Sequence, residues 1–219
     1  MNDLDAEGRP NPQMKANWLP GFQYCPDYLS PLAQRLLLDE VRLLIRRAPL
    51  FTPKMPRSGR PFSVQMTNCG ALGWVSDKAG GYRYQPGHPE TGEPWPPLPD
   101  AISKIWTAFA GDAAPPEACL VNYYGPEAKM GMHRDEDEKD FSAPVVSISL
   151  GDMARFRIGG LRRKDRTAAF DLRSGDVVVL GGGARLAYHG VDRIVPGSSD
   201  LLPEGGRFNL TLRRVTARN

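Results

Sequence analysis

Short apolar segments separated by tight turns dominate the second half of the sequence. After Gly111, seven segments rich in β-branched and aromatic residues are separated by turns of Gly, Asp and Pro. These candidate strands are residues 120–124, 145–150, 155–158, 168–172, 177–180, 186–191 and 207–215. Seven short strands at this spacing predict a β-sandwich or a closed barrel.

The first half of the sequence is helical and rich in loops. Ser30 as N-cap and Pro31 at the first helical position begin a leucine-rich helix that continues to Ala48. A second helix is expected over residues 100–110, and the proline-rich stretch 86–99 disfavours regular structure. Residues 1–17 are polar and predict a loose tail. We therefore expect one domain over residues 18–219, of α+β and mainly β class.

Composition and motif content exclude several classes of protein. No apolar run approaches the ~20 residues that span a bilayer, and the N-terminus lacks the apolar centre of a signal peptide. A cytoplasmic protein with no membrane partner is the expectation, and no segment indicates a dimer, so we expect a monomer. The three cysteines form no CxxC pair, so neither a zinc knuckle nor a disulfide framework is indicated. The net charge of +3 permits an anionic partner without requiring one.

His133, Asp135 and His189 are the candidate metal ligands. If the chain is extended at His133 and Asp135, the two side chains project from one face and can reach one ion. With His189 they complete a set of two histidines and one carboxylate, the facial triad of non-haem Fe(II) oxygenases. The alternative is that His133 is a surface residue of a solvated acidic loop and His189 a core histidine, and the His-x-Asp pattern alone is weak evidence against it. The acidic loop also admits calcium, but it lacks the ligand spacing of an EF-hand.

We expect His88 and most of the acidic residues after Asp135 to have no role in binding a metal. His88 lies in the proline-rich stretch, and we expect it at the surface. Four acidic residues follow Asp135 in this run, and we expect three of them to belong to a hydrated loop: Glu136, Glu138 and Asp140.

The last candidate strand, RFNLTLR, has one polar face and one apolar face. Arg207 and Arg213 are six residues apart, so a strand directs both to the same side, together with Asn209 and Thr211. Two arginines inside a barrel would need anions, and a dicarboxylate between them would satisfy both guanidinium groups. A solvent-facing strand with two ordinary arginines is the alternative.

Six motifs together resemble the AlkB family of Fe(II)/2-oxoglutarate-dependent dioxygenases, of the bacterial repair type. They follow the family's order and spacing: MTNCGALGW (66–74), NYYGPEAKMGMHRDEDE (122–138), APVVSISLG (143–151), FRIGGLRR (156–163), GDVVVLGGGARLAYHG (175–190) and RFNLTLR (207–213). The resemblance implies a double-stranded β-helix, or jelly-roll, core over about residues 112–219. It also implies an N-terminal helical and loop-rich nucleotide-recognition lid over about residues 50–92.

The resemblance implies a role for each of thirteen residues. The iron ligands would be His133, Asp135 and His189. The 2-oxoglutarate contacts would be Asn122, Tyr124, Arg207, Asn209 and Arg213. The pocket for the substrate base would be formed by Trp74, Tyr82, Tyr84 and Asp137, with Arg163 close to the nucleic acid.

The implied reaction is oxidative demethylation of alkylated bases with Fe(II), O2 and 2-oxoglutarate. The expected lesions are 1-methyladenine and 3-methylcytosine in DNA, single- or double-stranded, with RNA as an alternative. The products are formaldehyde, succinate and CO2. Two other functions remain open: the same chemistry on methylated tRNA or protein, and a catalytically inactive nucleic-acid-binding module.

Overall fold

The computed structural model describes residues 19–217, and twelve strands and two α-helices lie within that range. The helices are α1 (Pro31–Arg47) and α2 (Asp100–Ala110). The strands are β1 (Phe22–Cys25), β2 (Gln65–Gly70), β3 (Gly73–Asp77), β4 (Gly81–Gln85), β5 (Ala118–Tyr124), β6 (Met130–His133), β7 (Val145–Gly151), β8 (Met153–Ile158), β9 (Ala168–Leu172), β10 (Val177–Leu180), β11 (His189–Val195) and β12 (Arg207–Arg213).

Two antiparallel sheets form the core. The larger has six strands in the order β1-β10-β7-β12-β5-β2, and the smaller has four in the order β6-β11-β8-β9. The predicted jelly-roll class is confirmed. Strands β3 and β4 form a separate hairpin, paired from Gly73↔Gln85 to Asp77↔Gly81. Within the described range, no helix is long and apolar enough to cross a membrane.

Both helices cover the outer face of the six-stranded sheet. The Ser30 hydroxyl accepts a hydrogen bond from the Ala33 amide at 3.2 Å, so α1 begins where the sequence predicts. The apolar residues of both helices join one core cluster with alternate residues of β7, β10 and β12. Since this face is closed by helices, the opposite face of the large sheet is left to line the interior between the sheets.

Strand β12 shows the predicted division into two faces. It lies between β5 and β7 in the large sheet. Phe208, Leu210 and Leu212 pack into the cluster with the helices. The intervening residues Arg207, Asn209, Thr211 and Arg213 line a cavity. Side chains of a strand alternate between faces, and here one face serves the core and the other a polar interior.

The structure corrects two predictions made from the sequence, and a third concerns residues outside the described range. The strand predicted over residues 186–191 begins only at His189, because a 3-10 turn at Gly182–Ala184 precedes it. The surface position predicted for His88 is wrong: its ring is buried, and Nε2 lies 2.8 Å from the Pro49 carbonyl. The tail predicted over residues 1–17 lies outside the described residues.

Candidate active site

A cavity of about 310 Å³ opens between the two sheets and the β3–β4 hairpin. Its wall includes twelve of the thirteen residues predicted for the site: Trp74, Tyr82, Asn122, Tyr124, His133, Asp135, Asp137, Arg163, His189, Arg207, Asn209 and Arg213. The thirteenth, Tyr84, lies behind the wall. The fold therefore collects residues that are up to 139 positions apart (Trp74 to Arg213) into one space.

Two strands of the small sheet bring His133 and His189 together. His133 ends β6, His189 begins β11, and the two residues are direct partners in the strand pairing. Their ring centroids are 4.5 Å apart. The Asp135 carboxylate lies 3.8 Å from His133 Nε2 and 4.0 Å from His189 Nε2. The three side chains form the one group of potential metal ligands found among the described residues.

Backbone carbonyls orient both imidazole rings. His133 Nδ1 lies 3.0 Å from the Gly131 carbonyl, and His189 Nδ1 lies 3.0 Å from the Ala187 carbonyl. Because a carbonyl can only accept, each Nδ1 carries a proton, which leaves the Nε2 atom of each ring as the one that can bind a metal. Burial, followed by repulsion from His133, lowers the pKa of His189 to about 4, so this ring is neutral at pH 7.

Arg213 keeps the Asp135 carboxylate charged. Its Nη2 lies 2.9 Å from Asp135 Oδ1, and its Nε donates to Oδ2 at 3.2 Å. Burial alone would raise the pKa of Asp135, but Arg213 and then the two imidazoles lower it below its ordinary value. A buried carboxylate beside two imidazole Nε2 atoms is a donor set that suits a divalent transition metal.

Arg207 is buried without a carboxylate partner among the described residues. It is 1% exposed, and it donates to the Asp152 and Leu172 carbonyls at 3.1 and 3.2 Å and to the Ser149 hydroxyl. Its Nε has no hydrogen-bond partner within the described part of the chain. Burial lowers the pKa of Arg207 to about 10. A buried cation with a free donor favours an anionic ligand.

The neighbours of Arg207 on the cavity wall are neutral and polar. Asn122 lies opposite Asn209 in the pairing of β5 with β12, and its Oδ1 also lacks a partner within residues 19–217. Asn209 Nδ2 donates to the Ser147 hydroxyl at 2.7 Å. Burial raises the pKa of Tyr124 to about 12, so its phenol stays protonated as a hydrogen-bond donor. These residues fit a carboxylate-bearing ligand held beside the metal ligands.

Aromatic side chains of the β3–β4 hairpin line the mouth of the cavity. The rings of Trp74 and Tyr82 are stacked, with centroids 5.5 Å apart and planes at 25°. The Trp74 indole donates to Asp137 Oδ2 at 2.7 Å. Tyr82 is 51% exposed. Arg163, also exposed, donates to the Met132 carbonyl at 3.3 Å.

Comparison with known proteins identifies the family. Residues 21–213 match the family model described as the 2OG-Fe(II) oxygenase superfamily. A protein of Caulobacter vibrioides (strain NA1000 / CB15N), named Alpha-ketoglutarate-dependent dioxygenase AlkB homolog, is 55% identical over 197 residues, covering 90% of this chain and 89% of that protein. The chain belongs to the AlkB family. It is an Fe(II)/2-oxoglutarate-dependent dioxygenase, with O2 as its second co-substrate.

Two further comparisons agree with this AlkB-family assignment. The Alpha-ketoglutarate-dependent dioxygenase AlkB of Escherichia coli (strain K12) is 40% identical over 187 residues, covering 84% of this chain and 85% of that protein. The solved structure of OsALKBH1 superposes with a TM-score of 0.73 at 32% identity, covering 91% of this chain and 100% of that one. The family, fold and cofactors predicted from the sequence motifs are confirmed.

The acidic loop of this AlkB-family chain is less hydrated than the sequence predicts. Glu136 is exposed, as expected, but Glu138 and Asp140 are buried, so the prediction is wrong for both. Asp140 accepts a hydrogen bond from the Ser142 amide at 3.0 Å. Glu138 contacts Arg185, which sequence reasoning missed as well. No local signal marks this pair, because its members are 47 positions apart.

Tyr84 also differs from its predicted place. The sequence resemblance assigned it to the base pocket, but its hydroxyl donates to Glu138 in a short hydrogen bond. Burial raises the pKa of Tyr84 well above its ordinary value. The physical reason is the polar partner of its hydroxyl. Tyr84 faces Trp74 across the hairpin, so both side chains share one face, but the Tyr84 hydroxyl is held by Glu138 and lies 3.4 Å from Arg213 Nη1.

We expect His133→Ala, Asp135→Ala and His189→Ala each to abolish succinate formation and metal retention. Each substitution removes one of the three ligand atoms that the described residues offer to Fe(II). Metal content after gel filtration, measured together with turnover, checks this result. His88→Asn is the control: it should lower the melting temperature and leave metal content intact. A triad variant with near-normal turnover would contradict the ligand set.

We expect Arg207→Ala to raise the Kd for 2-oxoglutarate by about 10- to 150-fold. This range corresponds to the loss of one charge-assisted hydrogen bond to the ligand. Calorimetric titration of Mn(II)-loaded protein measures this change. Arg193→Ala is the matched control, because Arg193 is exposed on β11. Unchanged 2-oxoglutarate affinity combined with loss of nucleic-acid binding would show that Arg207 serves another ligand.

Proposed function

We propose that this AlkB-family dioxygenase is an oxidative demethylase that repairs 1-methyladenine and 3-methylcytosine in DNA. The supporting observation is the arrangement at the cavity mouth, where Trp74 and the Asp137 carboxylate form a flat, anionic recognition surface in the same cavity as the two histidines. Bases methylated at these ring positions are flat and cationic. Aromatic faces and a carboxylate complement that shape and charge.

In this proposal the chain divides the binding tasks between its two sheets. The Nε2 atoms of His133 and His189 and the Asp135 carboxylate hold Fe(II). Arg207 binds the distal carboxylate of 2-oxoglutarate, and Arg213 approaches the carboxylate beside the keto group, with Asn122, Tyr124 and Asn209 as polar neighbours. The Fe(II) centre with O2 and 2-oxoglutarate supplies the oxidising power. The protein supplies position and a cavity that limits access of water.

The methyl group is released because its hydroxylated form is unstable. Hydroxylation converts the N-methyl group into an N-hydroxymethyl group, which leaves as formaldehyde and restores the base. Succinate and CO2 are the products of the co-substrate. The residues of the cavity mouth only need to place the methyl carbon near His133 and His189. A base inside a duplex cannot reach that depth, so the substrate base is extruded or single-stranded.

Exposed basic residues beside the cavity supply affinity for the phosphate backbone. The turn between β8 and β9 carries Arg162, Arg163, Lys164 and Arg166, all exposed, and Arg163 also borders the cavity. A second exposed set precedes or lies within the β3–β4 hairpin: Lys54, Arg57, Arg60 and Lys78. Local clusters of this kind bind phosphates even though the net charge of the chain is only +3.

Two alternatives use the same site differently. A methylated RNA, including tRNA, or a methylated protein could replace DNA as the substrate. The aromatic surface contacts a flat cation and does not contact the sugar that distinguishes DNA from RNA. An inactive binding module is disfavoured, because the His/Asp/His group and the buried Arg207 would then serve no ligand. The monomeric state and the cytoplasmic location stay predictions.

Succinate release with defined oligonucleotides tests the proposed substrate. We expect 1-methyladenine or 3-methylcytosine in single-stranded DNA to stimulate succinate release, with one formaldehyde formed for each base restored. The unmethylated oligonucleotide of the same sequence is the control. Stimulation by methylated RNA or by a methylated peptide, but not by methylated DNA, would replace the proposed substrate by the corresponding alternative.

We expect Asp137→Asn to reduce turnover of a cationic 1-methyladenine lesion more than turnover of a neutral 3-methylthymine lesion. The amide keeps an oxygen for the Trp74 indole, so the shape of the pocket is preserved while the negative charge is lost. The ratio of kcat/KM for the two lesions is the measurement. Glu127→Gln, which removes a charge from the exposed turn between β5 and β6, is the control. An equal loss on both lesions would remove Asp137 from base recognition.

A further inference from the structure

Four buried charged side chains form a neutral cluster at one side of the cavity wall. They are two carboxylates and two guanidinium groups: Asp135, Glu138, Arg185 and Arg213. Arg213 contacts both carboxylates, with Nε lying 3.4 Å from Glu138 Oε1 in addition to its contacts with Asp135. Since each buried charge here has an opposite partner, removal of any one leaves an uncompensated charge in a dry environment.

Glu138 is the member of this cluster with the most diverse partners. Its side chain is 1% exposed. Oε2 accepts from Arg185 Nη2 at 3.1 Å, and Oε1 faces Arg213 and accepts from the Tyr84 hydroxyl of strand β4. The Tyr84 hydroxyl also lies 3.4 Å from Arg213 Nη1. One carboxylate therefore joins the β3–β4 hairpin to strand β12 of the large sheet.

Arg185 extends this connection to the backbone of the metal-ligand loop. Its Nη1 donates to the Asp135 carbonyl at 2.8 Å, and its Nε donates to the Ala143 carbonyl at 2.9 Å. The guanidinium thus holds both ends of the segment from Asp135 to Ala143. Glu138 lies within that segment and anchors the guanidinium from the inside, so the position of the Asp135 backbone depends on the Glu138–Arg185 pair.

Of the two carboxylates that face Arg213, Asp135 is also a potential metal ligand and Glu138 is not. Asp135 directs both oxygens to Arg213 in the structure described here. A carboxylate that binds Fe(II) shares its negative charge with the metal and attracts a nearby guanidinium less. Glu138 lies outside the metal-ligand group, so its charge stays available to Arg213 when the metal is bound.

We propose that Glu138 is a positioning residue that holds Arg213 and the Asp135 loop in place for 2-oxoglutarate, and that Tyr84 couples the β3–β4 hairpin to this arrangement. Glu138 acts through Arg213 and Arg185 and does not itself touch the metal or the co-substrate. The hairpin's role as a lid over the substrate and the contact of Arg213 with 2-oxoglutarate rest on the proposed function. The identity of the substrate base does not enter the effect on 2-oxoglutarate binding.

The test is the Kd for 2-oxoglutarate of Mn(II)-loaded protein, measured by calorimetry without nucleic acid. We expect Glu138→Gln to raise this Kd by about tenfold or more, since Arg213 loses a charged partner. Glu127→Gln is the matched control, because Glu127 is exposed in the turn between β5 and β6. A Glu138→Gln protein that loses thermal stability but binds 2-oxoglutarate normally has lost only a structural salt bridge, and this result would overturn the proposal.

Tyr84→Phe tests the coupling to the hairpin and keeps all four buried charges. We expect it to raise the same Kd by about two- to tenfold, the effect of one hydrogen bond. In the double variant the two effects should not multiply, because Tyr84 acts through Glu138. An unchanged Kd in Tyr84→Phe overturns the coupling even if Glu138→Gln fails to fold, and so do multiplying effects in the double variant. No nucleic acid is present, so failure here is separate from failure of the proposed substrate.

Discussion

The burial of two guanidinium groups on one strand is the constraint on which the site depends. Arg207 and Arg213 both point from β12 into the space between the sheets, where a charge without a partner is costly. Arg213 finds its anions within the protein, in Asp135 and Glu138. Arg207 finds only neutral acceptors within residues 19–217. That difference favours binding of a small dicarboxylate with one end at Arg207, which fits the 2-oxoglutarate requirement of the family.

The two sheets bring different chemistry to the same cavity. The small sheet carries His133 and His189 on paired strands, and the large sheet carries the arginines and their polar neighbours. Because helices close the outer face of the large sheet, its polar residues are directed inward. Asp135 links the two halves: it faces both imidazoles and also pairs with Arg213. In our proposal, the metal and the co-substrate therefore meet at this residue.

Local sequence patterns predicted the features that depend on neighbouring residues, namely the bounds of several elements and the alternation of side chains along a strand. The bounds of β9, β10 and α2 agree with the sequence, and the two-faced alternation of β12 follows from RFNLTLR alone. The errors concern polar residues whose partners lie far along the chain. His88 was expected at the surface and Glu138 in a hydrated loop, yet one contacts Pro49 and the other Arg185. Burial of a polar residue depends on such distant partners, and periodicity does not report them.

A crystal structure with Mn(II) and 2-oxoglutarate bound in the absence of O2 would show directly how the site holds both. We expect one metal ion held by His133 Nε2, Asp135 and His189 Nε2, with the distal carboxylate of 2-oxoglutarate on Arg207. We also expect Arg213 to remain in contact with Glu138 after Asp135 has bound the metal. A metal bound elsewhere, or a 2-oxoglutarate molecule that does not contact Arg207, would contradict the proposed site.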